Sequence, residues 1–576
     1  MCYKNYIICL LLIFSVNLHG QISFNNVSTD LGLGIPTGTT IWGNGVTFYD
    51  FDNDGWDDIT LNTGVGTSVR FFKNNNGTFE EHELISPPIT YQTKQVNWVD
   101  IDNDGDKDLF VTSDTNGNRL FENTGNMNLV DITVAAGLPL VNRYTYGASW
   151  GDYNNDGYLD VYISNRDETT FTIPNYLYKN NGDNTFTNVS NSVGLHTTAH
   201  SSFCSAFFDF NNDGFQDLFV ANDRYVYENY LYKNNGDGTF TDIGASSGVG
   251  IFMDAMSATI ADVNHDGWLD LYVTNTSSGN KFFINNGNET FTNISVSAGT
   301  TFNAIAWGSV FLDADNDMDL DLFVSGRLDP NNPALKSFAF YENQNNGTYI
   351  EPSSTGFESQ NSSNYSNAIG DINNDGLFDI VVSNNFNDNV ALWKNETISS
   401  SNYLKVKLEG TTSNRDGVGS KIEISINGNK QYRYTLCGEG YLSQNSDSEI
   451  FGLGSNTMVD YIKVTWLSGI EDYFYDVSAN QLFSIVEGNG TLSLDKNETS
   501  TINIFPNPVE NFLNIKSNST IHSIKIYDVL GKEINIVLVN TTDTSNTIDV
   551  SNLNSGTYFL RIYTNTGFRI VKLLKN

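Results

Sequence analysis

The sequence predicts an all-β chain, led by a seven-bladed β-propeller and completed by two further β domains. Three observations carry this: an acidic loop that recurs seven times, strands that are apolar on both faces, and a composition suited to short strands and tight turns. With 13% aromatics, 49 Gly and only 10 Pro, the chain has the makings of many strands joined by sharp connections.

The first loop, "DFDNDGWDDI" (50–59), sets five carboxylates around one glycine. It returns as "DIDNDGDKDL" from Asp100, "DYNNDGYLDV" from Asp152 and "DFNNDGFQDL" from Asp209. Three more copies follow: "DVNHDGWLDL" from Asp262, "DADNDMDLDL" from Asp313 and "DINNDGLFDI" from Asp371. Positions 1, 3, 5 and 9 are Asp or Asn in every copy. Such a fixed internal period marks a repeat architecture. Like charges at this density repel, and a divalent cation among them is the physical reason to keep them. Calcium takes 6–8 oxygen ligands, and alternate residues of a tight loop aim oxygens at one point. Asp50, Asp52 and Asp54 supply the alternating carboxylates, Gly55 the turn, Trp56 a backbone carbonyl, and Asp58 closes the shell. An EF-hand would carry Glu at position 12. Here that position is Leu61, Val111, Ile163, Val220, Val273, Val324 or Val382, so the loop is of another kind.

The 67 acidic residues outnumber the 30 basic ones, for a net charge of -37, and the seven loops hold 27 of the acids. Seven calcium ions would bring the net charge to about -23. A surface this acidic excludes nucleic acid, whose binding needs clustered Lys and Arg.

Each repeat reads as four short strands. In the first, "GVTFYD" (45–50) enters the loop, "DITLNT" (58–63) leaves it, and "SVRFFKNN" (68–75) and "GTFEEHEL" (77–84) follow across an Asn-Gly turn. The second strands are apolar at consecutive positions, as in Leu218-Phe219-Val220, so both faces must be covered. Seven small sheets in a ring provide that cover. First strands carry small residues (Ala148, Ser149, Ser205, Ala206, Ser257, Ala258, Gly308, Ser309), as crowding near an axis requires. The last copy lacks a fourth strand, and "ISFNNVSTDLGL" (22–33) matches "TFTNVSNSVGL" (185–195). Residues 22–28 are therefore expected to complete the seventh blade and hide two sheet edges.

Residues 21–398 resemble the FG-GAP/VCBS repeat family, the calcium-loop propeller also seen in integrin alpha subunits. The resemblance extends the ligand set to every copy, as side chains at positions 1, 3, 5 and 9 and the carbonyl at position 7. These are Asp100, Asp102, Asp104, Asp106 and Asp108 in the second copy, and Asp152, Asn154, Asp156, Tyr158 and Asp160 in the third. The fourth has Asp209, Asn211, Asp213, Phe215 and Asp217, and the fifth Asp262, Asn264, Asp266, Trp268 and Asp270. The sixth has Asp313, Asp315, Asp317, Asp319 and Asp321, and the seventh Asp371, Asn373, Asp375, Leu377 and Asp379. Up to seven Ca2+ ions follow, one per blade. In the sixth copy Met318 stands where a positive φ is expected, so that loop is expected to be distorted or empty.

Residues 402–488 turn to longer strands. "SNRDGVGSKIEI" (413–424), "CGEGYLSQNSDSEIFGLG" (437–454) and "VTWLSG" (464–469) resemble the ASPIC/UnbV domain. Arg415 and Glu439 are the polar residues to watch there, with turn and strand-end roles as the plain expectation. A polar linker (489–501) leads to 502–576, where "INIFPNPVENFLNIK", "IKIYDVLGKEI" and the basic, apolar end resemble the C-terminal sorting domain of type IX secretion. That resemblance implies a small β-sandwich read by the secretion machinery; a permanent Ig-like adhesion module would share the fold. Both trailing domains are thus expected to be small and β-sandwich-like.

Residues 1–20 read as a signal peptide, with Lys4 before an apolar run from Tyr6 to Val16 that is too short to span a membrane. Its removal leaves Cys204 and Cys437, expected as free buried thiols. A monomer at the outer-membrane surface or in the medium is expected, with no membrane span in the mature chain.

No catalytic motif emerges. His196 and His200 in "HTTAH" lack the Glu and helix of a zinc protease, and no nucleophile elbow or phosphate-cradling loop occurs. The connections opposite the acidic loops collect Arg143, Tyr144, Tyr146, Arg166, His196, His200, Arg224, Tyr225, Phe252 and Arg327, residue types that suit a ligand face. The sequence thus favours a non-enzymatic adhesion or glycan- or protein-binding role. A polysaccharide-active enzyme on the same scaffold is the alternative, and a structural envelope component a third.

Overall fold

A computed structural model describes residues 21–490 and, within 502–576, all but 518–519, 528–531, 535–536, 542–544 and 565–566. The expected signal peptide (1–20) and most of the expected linker (489–501) lie outside the described residues. The chain divides into two compact units, one ending at Gly490 and the other comprising 491–576.

Among the described residues of the first unit, every acidic loop sits between the first two strands of an antiparallel four-strand unit, to which the first repeat adds Ser443–Gln444 as a parallel fifth strand. In the third repeat these strands are Thr145–Gly151, Asp160–Asn165, Tyr176–Asn180 and Phe186–Asn188, hydrogen-bonded in that order. The first two are buried at every position, as their two-faced apolar pattern requires. Repetition of this sheet, with the loops at one end, is consistent with a β-propeller-like fold. The seventh repeat has Asn364–Gly370, Asp379–Asn384 and Ala391–Asn395 from its own sequence, and Phe24–Asn26 pairs beside them, Phe24 opposite Asn395. One apolar cluster joins Val27, Ile380's neighbour Val381 and Leu392 to Val46, Phe48 and Ile59 of the first repeat. Both remaining cysteines are free and buried.

Residues 402–490 do not form a separate body. Asn402–Glu409, flanked by Ser448–Gly454 and Leu482–Val486, packs against a second sheet of Asn429–Tyr434, Lys421–Ile426, Met458–Thr465 and Glu471–Ser478. Leu404, Ile422, Phe451, Ile462 and Trp466 form their shared core. A loop from this sandwich, 435–447, runs in among the first strands of the repeats. Trp150 N donates to Cys437 O (2.9 Å), Gly440 N to Ala258 O (3.3 Å) and Ser446 N to Ile369 O (3.0 Å). Ser443–Gln444 lies parallel beside Val46–Thr47, and the Gln444 amide brackets the Trp98 backbone at 2.8 and 2.7 Å. Gly438 has φ +77°, and a Cβ there would fall 2.3 Å from Ala148 O, so the loop passes only as glycine. At its tip Tyr441 is fully buried against Phe203 and Trp307, its hydroxyl donating to Trp42 O at 2.6 Å.

In the second unit Ile502–Phe505, Phe512–Ser517, Ser545–Asp549 and Val537–Thr541 form one sheet. Glu533–Ile534, Ile521–Tyr527, Gly556–Thr564 and Gly567–Lys575 form the other. Leu513, Ile515, Ile548, Leu560 and Leu573 fill the core between them.

Because Tyr441 fills space between several first strands, truncation leaves a cavity and an unpaired Trp42 carbonyl. Tyr441→Ala is expected to lower the unfolding free energy by about 3–5 kcal/mol, read by urea titration; a loss under about 1 kcal/mol would show the loop to be loosely held.

Candidate metal centre

The seven loops share one hydrogen-bond scheme. The carboxylate at position 1 accepts the position-5 amide on one oxygen and the position-6 amide on the other, as in Asp54 N and Gly55 N to Asp50, both 3.0 Å. The position-9 carboxylate accepts the position-2 amide and the amide of an asparagine on the third strand, as in Phe51 N (3.1 Å) and Asn74 N (2.7 Å) to Asp58. Asp54 in turn accepts Trp56 N at 3.0 Å. This wrapping needs left-handed backbone at position 6, where Gly55 has φ +88°.

Met318 meets the same requirement in the sixth loop. Its φ is +85°, its amide donates to Asp313 at 3.0 Å, and its side chain packs on the core of the 402–490 sandwich. The expected distortion is absent: packing offsets the strain of a side chain in this conformation.

Two contributions escaped the sequence reading, although both recur visibly in it. Position 4 is Asn or His in every copy, with φ between +54° and +63°. Its side chain reaches the position-6 carbonyl of the next loop: Asn53 to Gly105 (3.0 Å), Asn103 to Gly157 (2.9 Å), Asn155 to Gly214 (2.9 Å) and Asn212 to Gly267 (3.1 Å). His265 pairs with Met318 O (2.8 Å), Asn316 with Gly376 O (3.0 Å), and Asn374 with Gly55 O (3.0 Å). In five repeats the third-strand asparagine also reaches back to the preceding loop, as Asn180 Nδ2 does to Ile101 O (2.8 Å) and Asn74 Nδ2 to Ile372 O (3.0 Å).

Do these residues suit a cation? In the first, second and sixth loops, oxygens of Asp50, Asp52 and Asp58, of Asp100, Asp102 and Asp108, and of Asp313, Asp315 and Asp317 lie within 4.8 Å of one another. The other four loops carry Asn at position 3 (Asn154, Asn211, Asn264, Asn373). Asp52 Oδ1 and Asn373 Oδ1 are buried without a hydrogen-bond partner among the described residues. Position-3 oxygens in two loops are thus left for something else to satisfy. The donors are all hard oxygens, the set that suits calcium or magnesium rather than a softer metal. The residues fit.

Burial holds the carboxyls at positions 1 and 9 above their ordinary range. It pushes Asp58 up to about 9 and Asp108 to about 8, and Asp152, Asp209, Asp262 and Asp371 to about 6. Asp160, Asp217, Asp270, Asp321 and Asp379 are likewise raised well above the ordinary value by burial.

The sandwich brings its cations to this loop face. Lys407 Nζ lies 3.1 Å from Asp50 and 3.0 Å from Asp447, and Lys405 Nζ 3.7 Å from both Asp57 and Asp371. Lys107 pairs with Asp416, whose other oxygen accepts Asp100 N at 2.9 Å. Arg415 pairs with Glu409 at 2.8 Å, and its amide donates to Asn103 at 2.7 Å. Glu439 is buried rather than at the surface, accepting Asn445 N at 2.9 Å.

At the opposite end of the sheets the expected ligand face is only partly open. Arg166 is buried, paired to Asp223 (2.5 Å) and Glu168 (2.6 Å) and stacked on Trp42 and Phe203, and Tyr146 is buried beside it. These two are removed from the accessible set because the charge of Arg166 is already matched. Arg224 stays exposed and shares Glu168, and Tyr225 donates to Ser278 (2.6 Å). His196 contacts Asp242 (3.1 Å) and His200 contacts the Tyr230 hydroxyl (2.6 Å). Arg143 is half-buried over Tyr176, next to Tyr144 with φ +52°, and Arg327 ends Asp321–Arg327. Exposed apolar tips that the sequence reading passed over, Ile41, Val65, Phe171 and Phe386, join Phe252 on these connections.

Three protein-family models match the chain. The FG-GAP-like repeat matches at 50–111, 100–163, 164–220, 209–273 and 262–324. Residues 50–324 are FG-GAP-like repeats. "ASPIC and UnbV" matches 410–492, and the secretion system C-terminal sorting domain matches 503–576. The sorting domain indicates export by type IX secretion to the cell surface or the medium. No helix among the described residues is long and apolar enough to cross a membrane. Cartilage acidic protein 1 of Xenopus tropicalis is 25% identical over 266 residues, 45% of this chain and 40% of the relative. The Homo sapiens protein of that name is 24% identical over 287 residues, 47% and 41%. The chain thus spans about two fifths of the length of the curated relatives it matches. Among solved structures, AofleA from Arthrobotrys oligospora aligns with TM-score 0.35 and 11% identity, covering 55% of this chain and 87% of that one. The SapL1 lectin in complex with alpha methyl fucoside aligns with TM-score 0.34 and 12% identity, covering 55% and 96%.

The raised carboxyls set a sign for pH dependence. A carboxyl with its folded-state pKa above the unfolded value stabilises the fold below that unfolded value, near 4, and loses its contribution as pH rises through the folded value. The loss begins near pH 4 and is complete by about pH 6 for Asp152, but continues to about pH 8 for Asp108 and 9 for Asp58. Chelator-stripped protein should therefore melt at progressively lower temperature from pH 6 to pH 9; a melting temperature that rises over that window contradicts the assignment.

Proposed function

We propose that this is an extracellular calcium-binding β-propeller protein that recognises a glycan or protein ligand without transforming it. In this reading seven sheets close into a ring. The position-4 hydrogen bonds support closure, since they run from each loop to the next and return from Asn374 to Gly55. The pairing of Phe24–Asn26 with the seventh sheet supports it from the outer edge.

The observation that carries the calcium assignment is the recurrence of one all-oxygen loop geometry, with the position-3 oxygens of Asp52 and Asn373 buried and unpaired among the described residues. Calcium, when bound, supplies the positive charge that lets buried carboxylates ionise without repelling. The protein's part is to hold those oxygens in place through the amides at positions 5 and 6. At a free concentration ten times the dissociation constant, each site would stabilise the fold by roughly 1.4 kcal/mol.

The recognition face is the end opposite the loops. The 402–490 sandwich occupies the loop end and threads Tyr441 between the first strands, which leaves the connections bearing Arg143, Tyr144, His196, His200, Arg224, Tyr225 and Arg327 to meet a partner. Exposed aromatic tips beside arginines are what such a face would use.

A glycan and extracellular-matrix array, probed with and without chelator and followed by product analysis, tests the reading. Saturable binding that weakens in chelator, with no product, is expected. Turnover of any bound polysaccharide would replace the binding role with an enzymatic one.

A further inference from the structure

The seven loops differ in charge, and the differences sort them. Five carboxylates crowd the first, second and sixth loops, against three in each of the others. In the first, that excess is neutralised: Lys73 contacts Asp52 and lies 2.9 Å from Asp54, while Lys407 lies 3.1 Å from Asp50. The third-strand position of Lys73 holds Glu122 in the second repeat and Glu342 in the sixth. Asn184 Nδ2 joins Glu122 (3.1 Å) to Asp102 (3.3 Å), which holds this further carboxylate beside the second loop. Position 7 adds Asp106 and Asp319, whose backbone carbonyls are the proposed ligands while their carboxylates only add charge. Asp319 is buried among Asp313, Asp315 and Asp317.

Among the described residues, two cations near these loops are held by other carboxylates. Lys107 is paired to Asp416, and Arg433, which faces Asp313, is shared with Glu449. Among the three-carboxylate loops, Lys179 lies 3.1 Å from Asp156 of the third and Lys405 3.7 Å from Asp371 of the seventh. Lys421 donates to Gly267 O of the fifth and, at 2.9 Å, to Asn212 of the fourth.

We propose that the second and sixth loops are a tight class of divalent-cation sites and that the other five are a weaker class. The inference rests on the calcium reading above. Ligand charge count tunes the affinity of oxygen-cage sites over several decades, and a nearby ammonium opposes a dication by simple repulsion. The sixth loop, whose Met318 departs from the glycine pattern, is thus among the first to fill.

The test is a calorimetric titration of the chelator-stripped full-length protein with calcium chloride. Two equivalents are expected to bind at least about tenfold tighter than the remainder. Asp106→Asn and Asp319→Asn keep the backbone carbonyl and remove one charge, and each should move one equivalent out of the tight class. Lys73→Gln should move the first loop toward it, a gain that misfolding cannot mimic. A single affinity class, or a tight class unmoved by all three substitutions, would overturn the ranking and leave calcium binding intact. No heat and no bound calcium would overturn the calcium reading itself.

Discussion

In each repeat the carboxylate at position 9 is withdrawn from water, and in six of the seven the position-1 carboxylate is too. Ionised and unmatched, such groups would cost several kcal/mol each. How that charge is matched is the constraint on which the rest of the structure depends. Part of the match is local, from amides that the left-handed turn aims at both oxygens of position 1. The neighbouring repeat adds alignment rather than charge, its position-4 side chain holding the position-6 carbonyl of the next loop. Part comes from lysines of the 402–490 sandwich. In the proposed function a calcium ion in each loop supplies the remainder.

The same constraint explains why the 402–490 segment belongs to the repeat body. Its lysines sit on an acidic face that an uncharged cover would desolvate without matching its charge, and its glycine-rich loop carries Tyr441 into a narrow space lined by aromatic residues from several repeats. The contact is both electrostatic and apolar. It also settles which end of the sheets remains available, because a sandwich docked on the loops leaves the far connections open.

Much of this was legible in the sequence because it repeats. The acidic loops, the four-strand units and the pairing of residues 22–28 with the last repeat could be read from residue type and spacing alone. The position-4 side chains, also visible in all seven copies, were passed over because an Asn at a turn usually serves its own backbone. Arg166 was placed on the open face because nothing in its neighbourhood reveals that Asp223, fifty-seven residues on, folds beside it. The docking of 402–490 was hidden for the same reason: Lys405 and Lys407 look like ordinary strand residues until Asp371 and Asp50 are brought to them. Met318 was read as a defect since only the folded chain shows the sandwich core that holds it.

The central claim is that divalent cations complete the acidic loops. Long-wavelength anomalous diffraction from crystals grown in millimolar calcium tests it most directly. The account predicts an anomalous peak inside each of the seven loops, within about 2.3–2.6 Å of the oxygens at positions 1, 3, 5 and 9 and of the position-7 carbonyl. Loops that hold only water, with the first-loop carboxylates still bound to Lys73 and Lys407, would contradict it.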